Sequence, residues 1–346
     1  MIVSMSAHTV SIPRRPCLVP GIEVFERGAD EVQVGLDPRH GVLARGVPRQ
    51  LVPLLRELDG TRTATSLFAL AGSERVEQLR TVLTRLTALG LVEDASSAGR
   101  HAPRGETGTW PLRVRCSSED LHELRAHCAV RIYGGSRLAI AVVSHLAAAG
   151  VGYLDLRTTG LVTPCDIGSG YTRADVGIPR RRAAAELIHR VNPHSKLAHP
   201  PERQSPDLVV LADSVVPAPE IVHELTQDGL PHLPVRVREG IGIVGPLVMP
   251  GRSSCLRCAD LHRSDRDRSW PRVASQLAGR EQRTDLTTAQ ATASLAASQV
   301  LRALTPGDEE PPAWNATLEI DNFDATVFRR AWAPHPACGC GAPPGW

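Results

Sequence analysis

The sequence predicts an α/β chain of two domains. The first is an N-terminal winged-helix-like domain of three strands and three helices. The second is a Rossmann-like domain with a mostly parallel sheet. Three observations predict this. Short extended segments separated by turn residues give way, after Pro48, to leucines at helical spacing. From Leu112 onward strand-like and helix-like segments alternate. Two tight cysteine pairs, Cys255 with Cys258 and Cys338 with Cys340, flank the last part of the second domain.

The whole chain sets the bounds. Its 346 residues suggest two domains of about 100–200 residues each. Hydrophobic residues make up 42%, enough to bury a sizeable core. A net charge of +2 supplies no global field for nucleic acid or a membrane surface. The basic residues are almost all arginine, and Lys196 is the only lysine. No apolar run reaches the ~18 residues that a membrane span needs. Met1 to Val19 lacks the continuous apolar segment of a secretory signal. The expected compartment is the cytoplasm, where paired cysteines read as metal ligands or reactive thiols before disulfides. Of eight cysteines, Cys17, Cys116, Cys128 and Cys165 stand singly.

The first domain is expected at residues 14–94. Glu23–Glu26, Glu31–Gly35 and Gly41–Ala44 are the strands, with Gly28 and Asp37-Pro38 supplying turn chemistry. Leu51, Leu54, Leu55 and Leu58 then form an apolar helical face that Asp59-Gly60 closes. Thr63–Ala71 is a second helix. Glu74–Leu89 is a third, with Leu79, Val82, Leu83, Leu86 and Leu89 recurring at 3–4 spacing until Gly90 stops it. Leu91 to Glu93 is a last extended piece. Residues 95–111 lack apolar periodicity and read as a linker.

The second domain is expected at 112–346. Ala129–Tyr133, Leu138–Ala149 and Gly152–Leu156 make a βαβ unit. Pro179–Val191 is helical, and Asp207–Ala212 is an apolar strand of the buried parallel type. Ile221–Asp228 is helical and Leu233–Arg238 extended. Glu239–Pro250 is a glycine-rich strand pair leading to the first cysteine pair. Thr288–Leu304 is an alanine-rich helix, and Thr317–Ile320 with Thr326–Arg330 forms a final hairpin.

Four thiolates suit a tetrahedral structural zinc ion. Cys255-Leu-Arg-Cys258 is one knuckle and Cys338-Gly-Cys340 a shorter one, its glycines Gly339 and Gly341 letting the backbone fold back. The pairs lie about 80 residues apart, so the metal closes a long loop. Four thiolates leave no open position for catalysis. The competing readings are a redox C-x-x-C or thiols of no consequence. Neither pair is expected to open a helix after a strand, which counts against redox chemistry. His262 and His335 are secondary candidates near the knuckles, against a bland role in packing. Trp270 and Trp332 read as core or interface anchors.

The first strand of the βαβ unit runs into Gly134-Gly-Ser-Arg-Leu-Ala139 and then a helix, the setting of a nucleotide loop. Of the G-x-G-x-x-G positions only Gly134 is glycine. Ser136 and Ala139 occupy the others, and Ser136 crowds a phosphate. After the second strand Arg157-Thr-Thr-Gly160 offers no acid for a ribose. A scaffold that has lost its nucleotide stands equally open, and a dehydrogenase is disfavoured by the missing acid.

With these residues in view, the segment from about Leu112 to Gly341 resembles the ThiF/MoeB superfamily, the ubiquitin-activating-type adenylating domains. The matches are LAAAGVGYLDL, Asp175-Val-Gly177-Ile-Pro179 before a helix ending Asn192-Pro193, DLVVLA, and both cysteine pairs in order. The resemblance implies a ThiF-type domain holding zinc on those cysteines. GPLVMPGRSSCLRCADLHRSDRD and PHPACGCG resemble, more closely, the stand-alone ThiF-like partner proteins of azole/azoline (TOMM) peptide biosynthesis. Those are cyclodehydratase partners or precursor-leader-binding proteins. The N-terminal block resembles their PqqD-like recognition element. Where adenylating members carry acids after the second strand, this chain has Thr158 and Gly160. Arg180 stands at the phosphate lysine, and Asp213 is one residue out of register with the magnesium-holding pair. ATP and magnesium would lose most of their ligands, since adenylyl transfer depends on positioned charge.

The resemblance implies a scaffold that binds a precursor leader peptide and presents it to a separate YcaO-type enzyme. The expected groove uses the third strand (Val42, Leu43) and the third helix (Arg75, Leu79, Val82), with strand addition at an exposed edge. Arg75, Arg80 and Arg85 would meet acidic leader residues, against the reading of a solvated helix face. The alternative is an active ATP-dependent adenylyltransferase that activates a carboxylate through Arg137, Arg180 and Asp213. DNA binding is disfavoured because Glu74 and Glu77 interrupt the basic helix. A homodimer is the remaining expected partner, as many members of the family form one.

Overall fold

The computed structural model describes residues 11–95, 107–307 and 309–343. Two compact units divide it, residues 1–123 and 124–346.

In the first unit β1 (Pro16–Leu18) precedes a meander of β2 (Val24–Glu26), β3 (Glu31–Val34) and β4 (Val42–Arg45). The meander is antiparallel in the order β2-β3-β4, so β4 is an edge. Val32 and Val34 point inward by strand alternation. Then come α1 (Val52–Arg56), α2 (Ala64–Ala71) and α3 (Val76–Ala88). Thr63 caps α2, its hydroxyl accepting the Ser66 amide at 3.1 Å. Gly90, at φ +71°, ends the third helix in the left-handed region. Leu51, Leu55, Leu67, Leu79, Leu83 and Leu86 fill the core beneath the meander valines. The ribbon of β1 with β5 (Val92–Asp94) is absent from the sequence expectation. Three-residue strands carry no readable alternation, and the Asp94 carboxylate anchors this ribbon by accepting the amides of Arg14 at 2.8 Å and Arg15 at 3.3 Å.

Residues 96–106 of the expected linker lie outside the described residues. Beyond them the chain is helical: α4 (Trp110–Val114), with Pro111 in its first turn, and α5 (Ser118–His127), within which the unit boundary falls.

The second unit is built on β6 (Ala129–Tyr133), α6 (Arg137–Ala148), β7 (Tyr153–Arg157), α7 (Arg180–Val191), β8 (Leu208–Leu211), α8 (Pro219–Gln227), β9 (His232–Arg238) and β10 (Ile241–Val244). It continues through α9 (Leu256–Arg266), α10 (Trp270–Leu277), α11 (Leu286–Leu304), β11 (Ala316–Asp321) and β12 (Thr326–Ala331). The seven-stranded sheet has the order β12-β11-β10-β9-β8-β6-β7. Strands β7, β6, β8 and β9 are parallel, and β10, β11 and β12 add on antiparallel, so five of the seven run one way. All of β8 is buried, as its unbroken apolar run requires. Small residues bring α11 close to the sheet: a Cβ at Gly242 would collide with the Thr292 hydroxyl. The sequence pattern does not predict helices α9 and α10, because RCADLHRSDR has no apolar stripe and Trp270-Pro271 opens the next. At the far edge Val327 and Phe328 of β12 and Phe323 in its turn are exposed.

Candidate metal centre and nucleotide crevice

Cys255 is the N-cap of α9 and Cys258 lies in that helix's first turn. The segment after β12 brings Cys338 and Cys340 against them. The sulfur separations are 3.8 Å for Cys255–Cys258, 3.6 Å for Cys255–Cys338 and 3.6 Å for Cys258–Cys340. All four sulfurs lie within 4.8 Å of one another. A zinc–sulfur bond of about 2.3 Å puts tetrahedral ligands about 3.8 Å apart. Disulfide sulfurs would be about 2.05 Å apart. The four cysteines therefore fit a tetrahedral metal ion. Leu211, Leu225, Val248 and Leu256 pack around them in one apolar cluster. Burial pushes the Cys255 thiol up. Burial acts on Cys340 too, yet hydrogen bonds from the Ala342 amide and from Cys258 and Cys338 bring its pKa down. Thiolates crowded in this way need a cation to balance them. Cys255 does open a helix, α9, but residues 245–254 separate it from the preceding strand, so the pair does not stand at a direct strand-to-helix turn.

His262 and His335 stand beside this centre. Their rings meet edge-on at 4.7 Å, and His262 Nε2 lies 3.0 Å from the Ala333 carbonyl. The imidazole of His335 is engaged at both nitrogens, by Asp265 at 2.9 Å and the Ala337 amide at 3.1 Å. These bonds fasten the returning tail to α9. Trp332 is buried and donates to Thr317 Oγ1 at 3.0 Å.

At the crevice, strand order reverses between β6 and β8, whose carboxyl ends mark the switch point of an open α/β sheet. Gly134 sits there at φ +121°, and a Cβ on it would lie 3.0 Å from the Ala212 carbonyl. Ser136 caps α6 with its backbone, while its buried hydroxyl has no hydrogen-bond partner among the described residues. Ala139 packs under the turn, fully buried. Arg137 turns aside to the carbonyls of Ile167 and Thr284, both at 3.1 Å. Arg180 crosses the loop: a Cβ on Gly135 would lie 2.8 Å from its Cδ and collide with Thr158. Its guanidinium is held by Asp166 at 3.2 Å and Glu281 at 2.8 Å. Burial opposes the Arg180 charge, and the two carboxylates outweigh it and raise its pKa. Asp213 follows β8, half-buried, with Ser214 donating to its carboxylate at 3.1 Å.

The ThiF family profile matches residues 114–342. This chain belongs to the ThiF family. Among curated proteins none matches it. Among solved structures, E. coli MccB with MccA-N7isoASN is similar at 14% identity and a TM-score of 0.64, over 94% of this chain and 99% of that one. E. coli MccB with ATP aligns at 13% identity and a TM-score of 0.64, over 94% and 99%. A selenomethionine structure of PaaA aligns at 16% and 0.61, over 90% and 98%. At these identities the likeness is one of fold. Among the described residues of this ThiF-family chain, no helix is long and apolar enough to cross a membrane.

The five residues expected to bind peptide fall differently. Leu43 is exposed on edge strand β4, and Val42 and Val82 are half-buried against one core. Leu79 is fully buried, so its side chain reaches no ligand. Arg75 donates to the Ala71 carbonyl at 3.3 Å, and Arg80 stacks over Phe68 at 4.5 Å. Sequence reasoning missed Asp166, Glu281 and Arg236. Asp166, which also accepts from the Thr163 amide and hydroxyl, and Glu281 meet at Arg180 from opposite sides in sequence, 14 residues before it and about a hundred after. An arginine inside the apolar strand HLPVRVR was the visible signal for the third.

Proposed function

We propose that this ThiF-family protein binds the leader segment of a ribosomal precursor peptide and presents it to a separate YcaO-type cyclodehydratase, its own adenylation site being degenerate. The observation that carries this reading is Arg180. In an adenylating crevice the loop glycines exist so that phosphates can approach the backbone. Here Ser136 replaces the second of those glycines, and the adjoining Gly135 is covered by the arginine, which Asp166 and Glu281 fix in place. The first unit, read as a PqqD-like winged-helix element, supplies the capture surface. Strand β4 ends its sheet with Leu43 exposed, and an extended peptide could add there by main-chain hydrogen bonds. E. coli MccB, similar in fold, has been solved in complex with N-formylated MccA, which supports a peptide as the ligand class.

A second reading, an active ATP-dependent adenylyltransferase, draws on the Ser136 hydroxyl and Arg180 Nε, two buried polar atoms without a hydrogen-bond partner among the described residues. MccB solved with ATP belongs on that side too. Two measurements separate them. Fluorescence anisotropy with the leader of a precursor encoded beside this gene should show saturable binding, weakened at least tenfold by Leu43→Asp without a change in melting. Pyrophosphate exchange with the same peptide should stay at background. Clear turnover would sink the scaffold reading and favour the second.

A further inference from the structure

We propose that the cavity between β9 and the α9–α10 pair binds a carboxylate carried on an apolar body, with the Arg236 guanidinium as its counter-ion. The inference stands apart from the peptide-scaffold reading.

Every residue of β9 up to Val237 is buried, and Arg236 is one of them at 8% exposure. Among the described residues its side chain has neither a hydrogen bond nor an ion pair, while its backbone pairs with β10. The two acids whose charge reaches it are Asp260 and Glu319, and both are engaged. Asp260 Oδ1 accepts from Arg263 at 2.8 Å and from the Trp270 indole at 3.0 Å. Glu319 accepts from Arg330 at 2.7 and 3.1 Å. Those acids balance Arg263 and Arg330, leaving one buried positive charge without a partner. A lysine so placed could shed its proton, but a guanidinium keeps its charge in proteins. Burial, then the nearby Arg263, push the Arg236 pKa down, which is the same unfavourable environment seen from the titration side. An isolated buried charge is costly unless something pairs with it.

Arg236 lines a cavity of about 740 Å³. Val216, Pro217, Val222, Leu256, Trp270 and Leu277 supply its walls. Volume and lining suit a small organic ligand, with few polar groups fixing its orientation. The apolar walls disfavour a hydrated inorganic anion. Of the lining arginines without an ion pair, Arg238 and Arg257 are exposed and only Arg236 is buried, so the enclosed part of the cavity carries one uncompensated charge, which suits a monoanion. The planar guanidinium matches a carboxylate in two-point geometry. Exposed Arg238 at the same cavity adds a field that draws anions in. None of Gly134, Ser136 or Arg180 lines this cavity, so it is a site separate from the crevice.

The test uses full-length, zinc-replete protein and calorimetric titration. The probes are 3-phenylpropionate, its neutral amide, and acetyl-Leu-Phe with a free terminal carboxylate. Binding of either acid at least tenfold tighter than the amide is expected, and the tighter acid tells a free metabolite from a peptide source. Arg236→Met should weaken acid binding at least tenfold while melting at or above the wild-type temperature. Ala274→Trp, which fills the cavity from α10, should block binding with Arg236 intact. Equal affinity for acid and amide, no binding of either acid, or full binding by either variant would overturn the proposal. So would a fall in melting temperature for Arg236→Met, which would reveal a structural partner. A dimer lost in Arg236→Met, with no acid bound, would overturn it by giving the face to a second copy.

Discussion

Asp155 lies on β7, buried, and accepts from Arg131 at 2.9 Å and from Arg157 at 3.1 and 2.9 Å. Burial alone would raise its pKa; the two guanidiniums win and hold it below the usual 3.8. A carboxylate with a lowered folded pKa contributes stability above its unfolded value and loses it as pH falls through the folded one. Asp155→Asn should therefore cost roughly 2 kcal/mol near neutrality. The gap between the two melting curves should close as pH drops below 3.8. Thermal melts of both proteins across pH check this, and a pH-independent gap would contradict it. At this scale the sequence speaks clearly only where partners are neighbours. Cys255 and Cys258, three apart, announced a half-site. Arg180 joins Glu281 across a hundred positions, and no local pattern carries such a pair. Arg236 was visible as a charge in an apolar strand, but its lack of a partner is a property of the folded chain.

Among the elements, long periodic stretches were legible and short or polar ones were not. The leucines of α3 and the alanines of α11 marked their helices within a few residues. The β1–β5 ribbon has three residues a side, and α9 has no apolar stripe. The latter is held instead by side-chain bonds: the Arg263–Asp260 pair at 2.8 Å, the Trp270 indole on Asp260 at 3.0 Å and His335 on Asp265 at 2.9 Å. For α11 a cap matters. Asp285 accepts the Thr287 hydroxyl at 2.7 Å and the Thr288 amide at 2.9 Å, and these bonds, the hydroxyl's first, lower its carboxyl to about 2. Asp285→Ala should cost about 1 kcal/mol in denaturant unfolding. The wild-type cap, its folded pKa being lowered, should persist in mild acid and fail only as pH approaches about 2. An unchanged unfolding midpoint in the variant would show that this cap contributes nothing.

For the whole molecule, the alternation of strands and helices foretold the sheet, and the strand order decided where its crevice opens. The four cysteines close a loop of more than 80 residues within the second unit, and a metal ion on them would lock it. Metal analysis should find one zinc per chain, and Cys338→Ser should lose it. The variant should melt lower by on the order of 10 °C, the shift that about 3 kcal/mol produces in a domain of 150–250 residues. Retained zinc with unchanged melting would remove the metal centre from the account.

That loop also has a history in time. Ribosomes extend a chain at roughly 5–20 residues per second, so the second cysteine pair emerges some 4–16 s after the first. Throughout that interval Cys255 and Cys258 exist as a bare dithiol on a nascent chain. Cys255 lines the Arg236 cavity together with Cys338 and Cys340, so that wall stays unfinished until the tail arrives. A metal ion on this tetrad would thus be captured late in biogenesis, and cells short of zinc or under oxidative stress would be expected to lose newly made copies before old ones.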